Sequence, residues 1–80
     1  MFYVYLIQSI KFPEKIYTGI TNDMQKRIST HNTGGSVYTA PYKPWKLVVY
    51  TGFDNEKKAR SFEKYLKSGS GRAFAKRHLW

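Results

Sequence analysis

Five side chains of this sequence belong to types that work together where phosphodiester bonds are cut: two phenols, a guanidinium, an imidazole and a carboxylate. Tyr5 and Tyr17 lie in two early segments whose β-branched and aromatic residues are typical of strands. Arg27 and His31 follow four positions apart, and Glu63 comes much later. If all five converge around one pocket of a small basic domain, they supply the components of a site that can cut such a bond.

Helical spacing places Arg27 and His31 on or beside the inward face of the first predicted helix. Residues three and four apart share a helix face, and Met24 and Ile28 are the apolar residues of this helix. An inward arginine is costly to bury unless it meets an anion, so Arg27 either binds a substrate or pairs with a structural carboxylate. Because the chain has only 5 acidic residues, we favour the substrate.

Glu63 lies within the apolar stripe of the second predicted helix, formed by Ala59, Phe62 and Leu66. An inward carboxylate needs a cation, so the sequence leaves open a metal ion and a salt bridge to Arg27 or a lysine. Another face of this helix carries four cations, namely Lys57, Arg60, Lys64 and Lys67. That face is either a solvated surface or a track for phosphates.

Alternation along the first strand predicts two faces. One face carries Tyr3, Tyr5 and Ile7, and the other carries Phe2, Val4 and Leu6. In the second strand Gly19 shares a side with Tyr17, and its missing side chain leaves room for another group to approach. A strand tyrosine packs far more often than it reacts, so the strand pattern alone assigns no catalytic role.

Three strands and three helices are predicted to position these residues in one domain covering residues 1–80. The strands are expected at 2–8, 15–20 and 46–52, and the helices from the capping residues 21–23 to about 32, at about 55–67 and at about 71–78. A long loop rich in Gly, Ser, Thr and Pro covers 34–45. The order β-β-α-β-α-α predicts an α+β fold with a small three-stranded antiparallel sheet flanked by helices.

The composition favours a polyanionic partner. The 80 residues include 14 Lys and Arg against 5 Asp and Glu, a net charge of +9. Nucleic acid is the first candidate partner and an anionic membrane surface the second, although the strongly amphipathic basic helix that a membrane surface would call for is not present. The third interpretation is that the positive charge only aids solubility. The chain has no cysteine, no run approaching the roughly 20 apolar residues of a membrane span and no signal-peptide pattern, so we expect a cytoplasmic protein with no membrane association.

These motifs resemble the GIY-YIG endonuclease domain, especially its small stand-alone bacterial members. The resemblance rests on 3–5 (Tyr-Val-Tyr), on 17–19 (Tyr-Thr-Gly), on Asn22 and on the four residues Arg27, His31, Glu63 and Tyr5 discussed above. The stretches 17–23 and 62–67 look most like the bacterial members, and the resemblance covers nearly the whole chain. The first triplet keeps only its tyrosine, the second has a central threonine, and the asparagine that follows the glutamate in many members is missing.

The resemblance implies hydrolysis of a DNA phosphodiester with one Mg²⁺ or Mn²⁺ ion, leaving 5′-phosphate and 3′-hydroxyl ends. Glu63 would be the single protein ligand of the metal, Arg27 the clamp on the scissile phosphate, and His31 a partner or proton shuttle for a phenol. Tyr5 would be the general base with Tyr17 assisting, although either tyrosine can fill that role in the family. A free tyrosine has a pKa of about 10, and we expect Arg27, the metal and the positive field to favour phenolate.

A nucleic-acid-binding module that keeps this scaffold without efficient catalysis is the alternative, and a protein–protein adaptor is a third hypothesis. We expect a monomer that binds double-stranded or branched DNA with weak sequence preference. Protein partners for targeting, a role in repair and the choice between DNA and RNA are left open. The candidate nucleic-acid-binding residues are Lys26, Lys43, Lys64, Lys67 and Arg72. The loop Gly34–Trp45 and the end Arg72–Arg77 are the segments expected to grip the strand.

Overall fold

The computed structural model describes residues 1–80 and has the predicted order of elements. Three strands form one sheet: β1 (Phe2–Ser9), β2 (Ile16–Thr21) and β3 (Trp45–Phe53). Three helices flank it: α1 (Met24–Asn32), α2 (Glu56–Leu66) and α3 (Gly69–His78). A short 3-10 turn, Ala40–Tyr42, interrupts the long loop before β3. The predicted α+β class and the order β-β-α-β-α-α are confirmed.

The sheet is antiparallel with the strand order β2-β1-β3, so the first strand lies in the centre. The β1–β2 register sets Tyr5 opposite Gly19 and Ile7 opposite Tyr17. Strand β1 has a paired strand at each edge and packed side chains on both faces, so Val4, Tyr5, Leu6 and Ile7 are buried. Because β2 is an edge strand, side chains from either layer of helices can reach around it.

The two faces of β1 pack against different helices, as its alternation predicts. Val4 and Leu6 form one core cluster with residues of α2 and α3. Tyr5 and Ile7 form the other with Trp45, against which Met24 and Ile28 of α1 also pack. Helix α1 therefore lies on the tyrosine face of the sheet, and α2 and α3 lie on the aliphatic face.

Short polar side chains begin each helix. Asp23 accepts a hydrogen bond from the backbone N–H of Lys26 at 3.0 Å, and Asn55 caps α2 in the same way. Ser68, just after α2, caps α3, so α3 starts at Gly69 rather than at about residue 71. The two helices approach closely at Gly71, where an added Cβ would overlap the backbone carbonyl of Tyr65. None of the helices has the length and apolar content needed to cross a membrane.

The long loop is built into the domain rather than left in solvent. The Trp45 indole N–H donates to the Thr39 carbonyl at 2.9 Å, and both residues are buried. The Asn32 amide at the end of α1 bonds both the N–H and the carbonyl of Trp45. Its most exposed large apolar or aromatic side chains are Val37 and Tyr38, with 92% and 80% of their surface exposed. Thr39 and Trp45 thus anchor the loop to the domain while Tyr38 stays exposed, and a role of this loop in gripping the strand stays a prediction.

Candidate active site

The Tyr5 hydroxyl is the centre of a hydrogen-bonded cluster between β1 and α1. It bonds His31 Nε2 at 2.8 Å and accepts from Arg27 Nε at 3.1 Å. Tyr5 and His31 are fully buried, and His31 is the only buried residue of α1. The helical spacing that predicted an inward arginine and histidine is thus confirmed, and both meet the same phenol.

Gly19 makes this arrangement sterically available. It lies opposite Tyr5 in the sheet, and a Cβ added to it would stand 2.3 Å from the Tyr5 hydroxyl and 2.5 Å from Cζ. No side chain tolerates such contacts, so the phenol occupies the space that glycine leaves empty. The sequence predicted room beside Gly19, and the register shows which group fills it.

Tyr17 lies beside the cluster but closer to solvent. Its ring centroid is 5.3 Å from the imidazole of His31 and 6.5 Å from the ring of Tyr5. Unlike Tyr5 it is only partly buried. The Lys67 ammonium lies 5.7 Å from the Tyr17 ring centroid. The two phenols are therefore neighbours, one sealed among polar partners and one accessible.

Arg27 makes no ion pair, so it is not the partner of a structural carboxylate. Its one side-chain hydrogen bond runs from Nε to Tyr5, which leaves its terminal N–H groups without a protein acceptor. No buried polar side-chain atom lacks a partner, so those N–H groups face solvent. They border an open cleft of about 390 Å³ that Thr21 and Asn22 also line. A planar fork held at one nitrogen and free at the others is suited to bind a phosphate.

Glu63 is linked to the cluster through Lys67. Its carboxylate pairs with the Lys67 ammonium at 3.3 Å, and that ammonium lies 5.7 Å from the ring centroid of Tyr17. Of the two salt-bridge partners that the sequence left open, Arg27 and a lysine, the structure therefore has the lysine. The negative charge of Glu63 is also the smallest of the causes that raise the pKa of Tyr5.

The surroundings shift the pKa of each member of the cluster. Burial raises the pKa of Tyr5 above its ordinary value; Arg27 acts against this, but Tyr17 and Glu63 add to it. The expectation that Arg27 favours phenolate is confirmed, but the desolvation of Tyr5 outweighs this effect, so the net pKa shift of the phenol is upward. Burial and the Arg27 charge lower the pKa of His31. The Tyr5 phenol raises the pKa of Arg27. At neutral pH the cluster is a protonated phenol beside a neutral imidazole and a cation.

Thr39 is a member of the cluster that the sequence did not reveal. Its hydroxyl bonds His31 Nδ1 at 2.7 Å, and both side chains are buried. The imidazole is therefore held at both nitrogens, which fixes its orientation and couples its tautomer to Tyr5. A threonine in a loop rich in small polar residues carries no spacing signal, so nothing in the sequence singled it out.

A metal ion at this site would depend on Glu63. No cluster of three or more His, Asp or Glu side chains exists in the protein. A lone, partly exposed carboxylate does fit Mg²⁺ or Mn²⁺, which retain most of their water and take phosphate oxygens as further ligands. The donor set is thus compatible with a hard cation and unsuited to zinc.

The residues expected to bind nucleic acid do not form one patch. Lys67 and Arg72 line the same groove along β2 and α3, and its volume is about 960 Å³. Lys26, Lys43 and Lys64 lie outside that groove. Of the four cations predicted on one face of α2, Arg60 and Lys67 pair with acids one turn earlier in the helix.

Comparison with known proteins supplies a family. A model described as the GIY-YIG catalytic domain matches residues 1–77. A UPF0213 protein of Clostridium perfringens is 44% identical over 68 residues, which cover 84% of this chain and 71% of that protein. A UPF0213 protein of Streptococcus pyogenes serotype M3 is 36% identical over 72 residues, which cover 89% and 76% respectively. These names state no activity.

Proposed function

Because this chain belongs to the GIY-YIG family, we propose that it is a divalent-metal-dependent endonuclease that hydrolyses DNA phosphodiester bonds. Membership of a nuclease family supports the reaction class. The observation that carries the proposal is the position of the Tyr5 hydroxyl between the imidazole of His31 and the guanidinium of Arg27, whose terminal N–H groups are free. The structural salt bridge that was the alternative for Arg27 is absent.

In the proposed reaction Tyr5 transfers a proton from the attacking water to His31 and does not ionise to a phenolate beforehand. Its hydroxyl donates to His31 Nε2 while its oxygen takes a proton from the attacking water. This route suits a phenol whose pKa is raised and an imidazole whose pKa is lowered, since both begin neutral. In this scheme Thr39 accepts a hydrogen bond from His31 Nδ1–H, so Nε2 carries no proton and can receive the one from Tyr5.

Arg27 has two tasks in this proposal. In the substrate-free protein its Nε covers the fully buried Tyr5 hydroxyl. When the guanidinium turns to a phosphate, it stabilises the charge that develops there and uncovers the phenol to water. Tyr17, which is the more accessible phenol, would hold that water in place.

Glu63 would hold Mg²⁺ or Mn²⁺, whose contribution when bound is to stabilise negative charge on the phosphate oxygens. Its ion pair with Lys67 must open for this. At 3.3 Å and with half of the lysine side chain exposed, the pair is weak. Pairs of this kind contribute about 0–1 kcal/mol, so a divalent ion can displace the ammonium.

The test is nicking of supercoiled plasmid with Mg²⁺ or Mn²⁺ against a chelator control. We expect Glu63→Gln and Arg27→Ala to abolish nicking while leaving the fold intact, whereas Asp54→Asn, which removes the same charge as Glu63→Gln at an exposed residue without an ion pair, keeps it. Unchanged nicking by Glu63→Gln would refute the metal assignment. Wild-type protein that binds DNA and RNA panels but cuts none of them would instead support the binding-module alternative.

A second comparison separates the two phenols. Tyr5→Phe removes the proton path to His31 and should stop nicking, whereas Tyr17→Phe should slow it while leaving it measurable. The reverse ranking would assign the base to Tyr17. Resealing of the nicked product by DNA ligase would show the 5′-phosphate and 3′-hydroxyl ends that the family resemblance implies.

A further inference from the structure

A basic groove adjoins the candidate active site but plays no part in its hydrogen bonding. The groove follows edge strand β2 and is closed by the β1–β2 loop on one side and by α3 on the other. Its volume is about 960 Å³. Tyr17 belongs both to its lining and to the cluster around Tyr5, so the groove leads directly to that cluster.

The charge of the groove selects an anion. Its lining includes four cations, namely Lys15, Lys67, Arg72 and Lys76, and a single acid, Glu14. Only Lys67 among these cations has a carboxylate partner, and that partner is Glu63, outside the groove. Lys15, Arg72 and Lys76 make no ion pair, so the groove keeps an excess of positive charge that a polyanion lying there would neutralise.

Aromatic rings select an unpaired strand. Tyr38 lines the groove with 80% of its surface exposed, and its ring centroid is 6.4 Å from that of Tyr17. Trp80 also lines it and is 37% exposed. Rings on a positively charged groove are the combination that binds single strands, because each unpaired base offers a face for stacking. A duplex hides those faces, so it would make no use of these rings.

We propose that this groove binds a single-stranded segment of DNA, with its phosphates on Arg72, Lys76 and Lys15 and a base stacked on Tyr38. The strand would continue past Tyr17 to the Tyr5 cluster. The choice of DNA rests on the proposed nuclease function, whereas the preference for an unpaired strand rests on the groove itself. The preferred substrate would then carry an unpaired segment beside the bond that is cut.

The first experiment tests the role of the cations. It measures binding of a fluorescent 12-nucleotide oligothymidine by anisotropy, with a chelator present so that cleavage plays no part. The variant Arg72→Ala/Lys76→Ala is compared with Lys57→Ala/Lys58→Ala, which removes the same charge from exposed residues of α2 outside the groove. We expect the first pair to lose roughly tenfold in affinity and about 1.4 in the slope of log affinity against log salt, as two lost single-strand phosphate contacts require. Equal losses in both pairs would overturn the proposal.

The second experiment tests stacking on Tyr38. It compares Tyr38→Ala with Tyr50→Ala, which removes a half-exposed tyrosine of β3 outside the groove. Tyr38→Ala should weaken single-strand binding roughly 5- to 100-fold and duplex binding far less, while Tyr50→Ala leaves both unchanged. If Tyr38→Ala weakens both forms alike, the single-strand assignment is wrong. Because these measurements need no cleavage, they can succeed even if the wild-type protein cuts no substrate and the nuclease proposal fails.

Discussion

Replacing Gly19 by alanine perturbs the candidate site through one methyl group. That methyl would stand 2.3 Å from the Tyr5 hydroxyl, where ordinary contact begins near 3.4 Å. Tyr5 is fully buried and cannot turn away into solvent, so its ring must shift by about 1 Å. The hydrogen bonds to His31 at 2.8 Å and from Arg27 at 3.1 Å then lengthen or break.

Two opposing effects decide the size of the result. Removing a strand glycine contributes about 0.5–1 kcal/mol of stability through the unfolded chain. Overpacking costs about 1–3 kcal/mol, and each displaced buried hydrogen bond costs about 1 kcal/mol more. Since two hydrogen bonds are displaced, the destabilising effects exceed the gain by about 3 kcal/mol, which lowers Tm by roughly 12–24 °C in a domain of this size. A displacement of about 1 Å at the reacting group should also slow nicking roughly 100-fold.

The assay combines thermal unfolding followed by circular dichroism with plasmid nicking at a temperature where the variant stays folded. Gly69→Ala is the matched control, since nothing lies within 4 Å of its added Cβ and it should behave as wild type. In the Tyr5→Phe background Gly19→Ala should cost little further activity, because the hydroxyl is already absent. A Gly19→Ala protein with wild-type Tm and nicking would refute the packing argument.

Three further predictions follow from the cluster. Thr39→Val leaves His31 Nδ1 without its partner and should slow nicking roughly tenfold or more, whereas Thr39→Ser keeps most activity; equal rates would contradict the orienting role. Because the pKa of His31 is lowered, its contribution to the free energy of unfolding should be fully present above about pH 6.5 and be lost as the pH falls further. The rate of nicking should likewise fall only below that pH, and His31→Gln should flatten the dependence of stability on pH. Arg27→Lys should fail to rescue activity, because an ammonium cannot bind a phosphate through the two parallel hydrogen bonds that a guanidinium offers; near-normal nicking by this variant would argue against the phosphate-binding role.

Local periodicity was sufficient for much of the site. The helical repeat predicted that Arg27 and His31 face inward, and both contact Tyr5. The strand repeat predicted the separation of Tyr5 from Val4, and the two lie in different core clusters. These inferences succeeded because the direction of a side chain within a helix or strand depends on neighbours a few residues away.

The errors and omissions share the opposite cause. Thr39 reaches His31 only because the loop is folded back by the contacts of Trp45, which no spacing rule encodes. Glu63 is an exception, because its partner Lys67 lies one turn later along the same chain segment, a pairing that the helical repeat could have indicated. The ionisation of Tyr5 was predicted from its charges and decided by its burial, which is a property of the assembled core.

The amino-acid order alone determined the family, the succession of strands and helices and the inward direction of the polar groups, since all of these arise from short-range repeats and motif chemistry. Only the three-dimensional packing decided that a glycine in the neighbouring strand admits the phenol, that a loop threonine holds the imidazole and that the phenol stays protonated. Steric fit and desolvation depend on atoms far apart in the chain, and the outcome would be different if the sheet register shifted by a single residue.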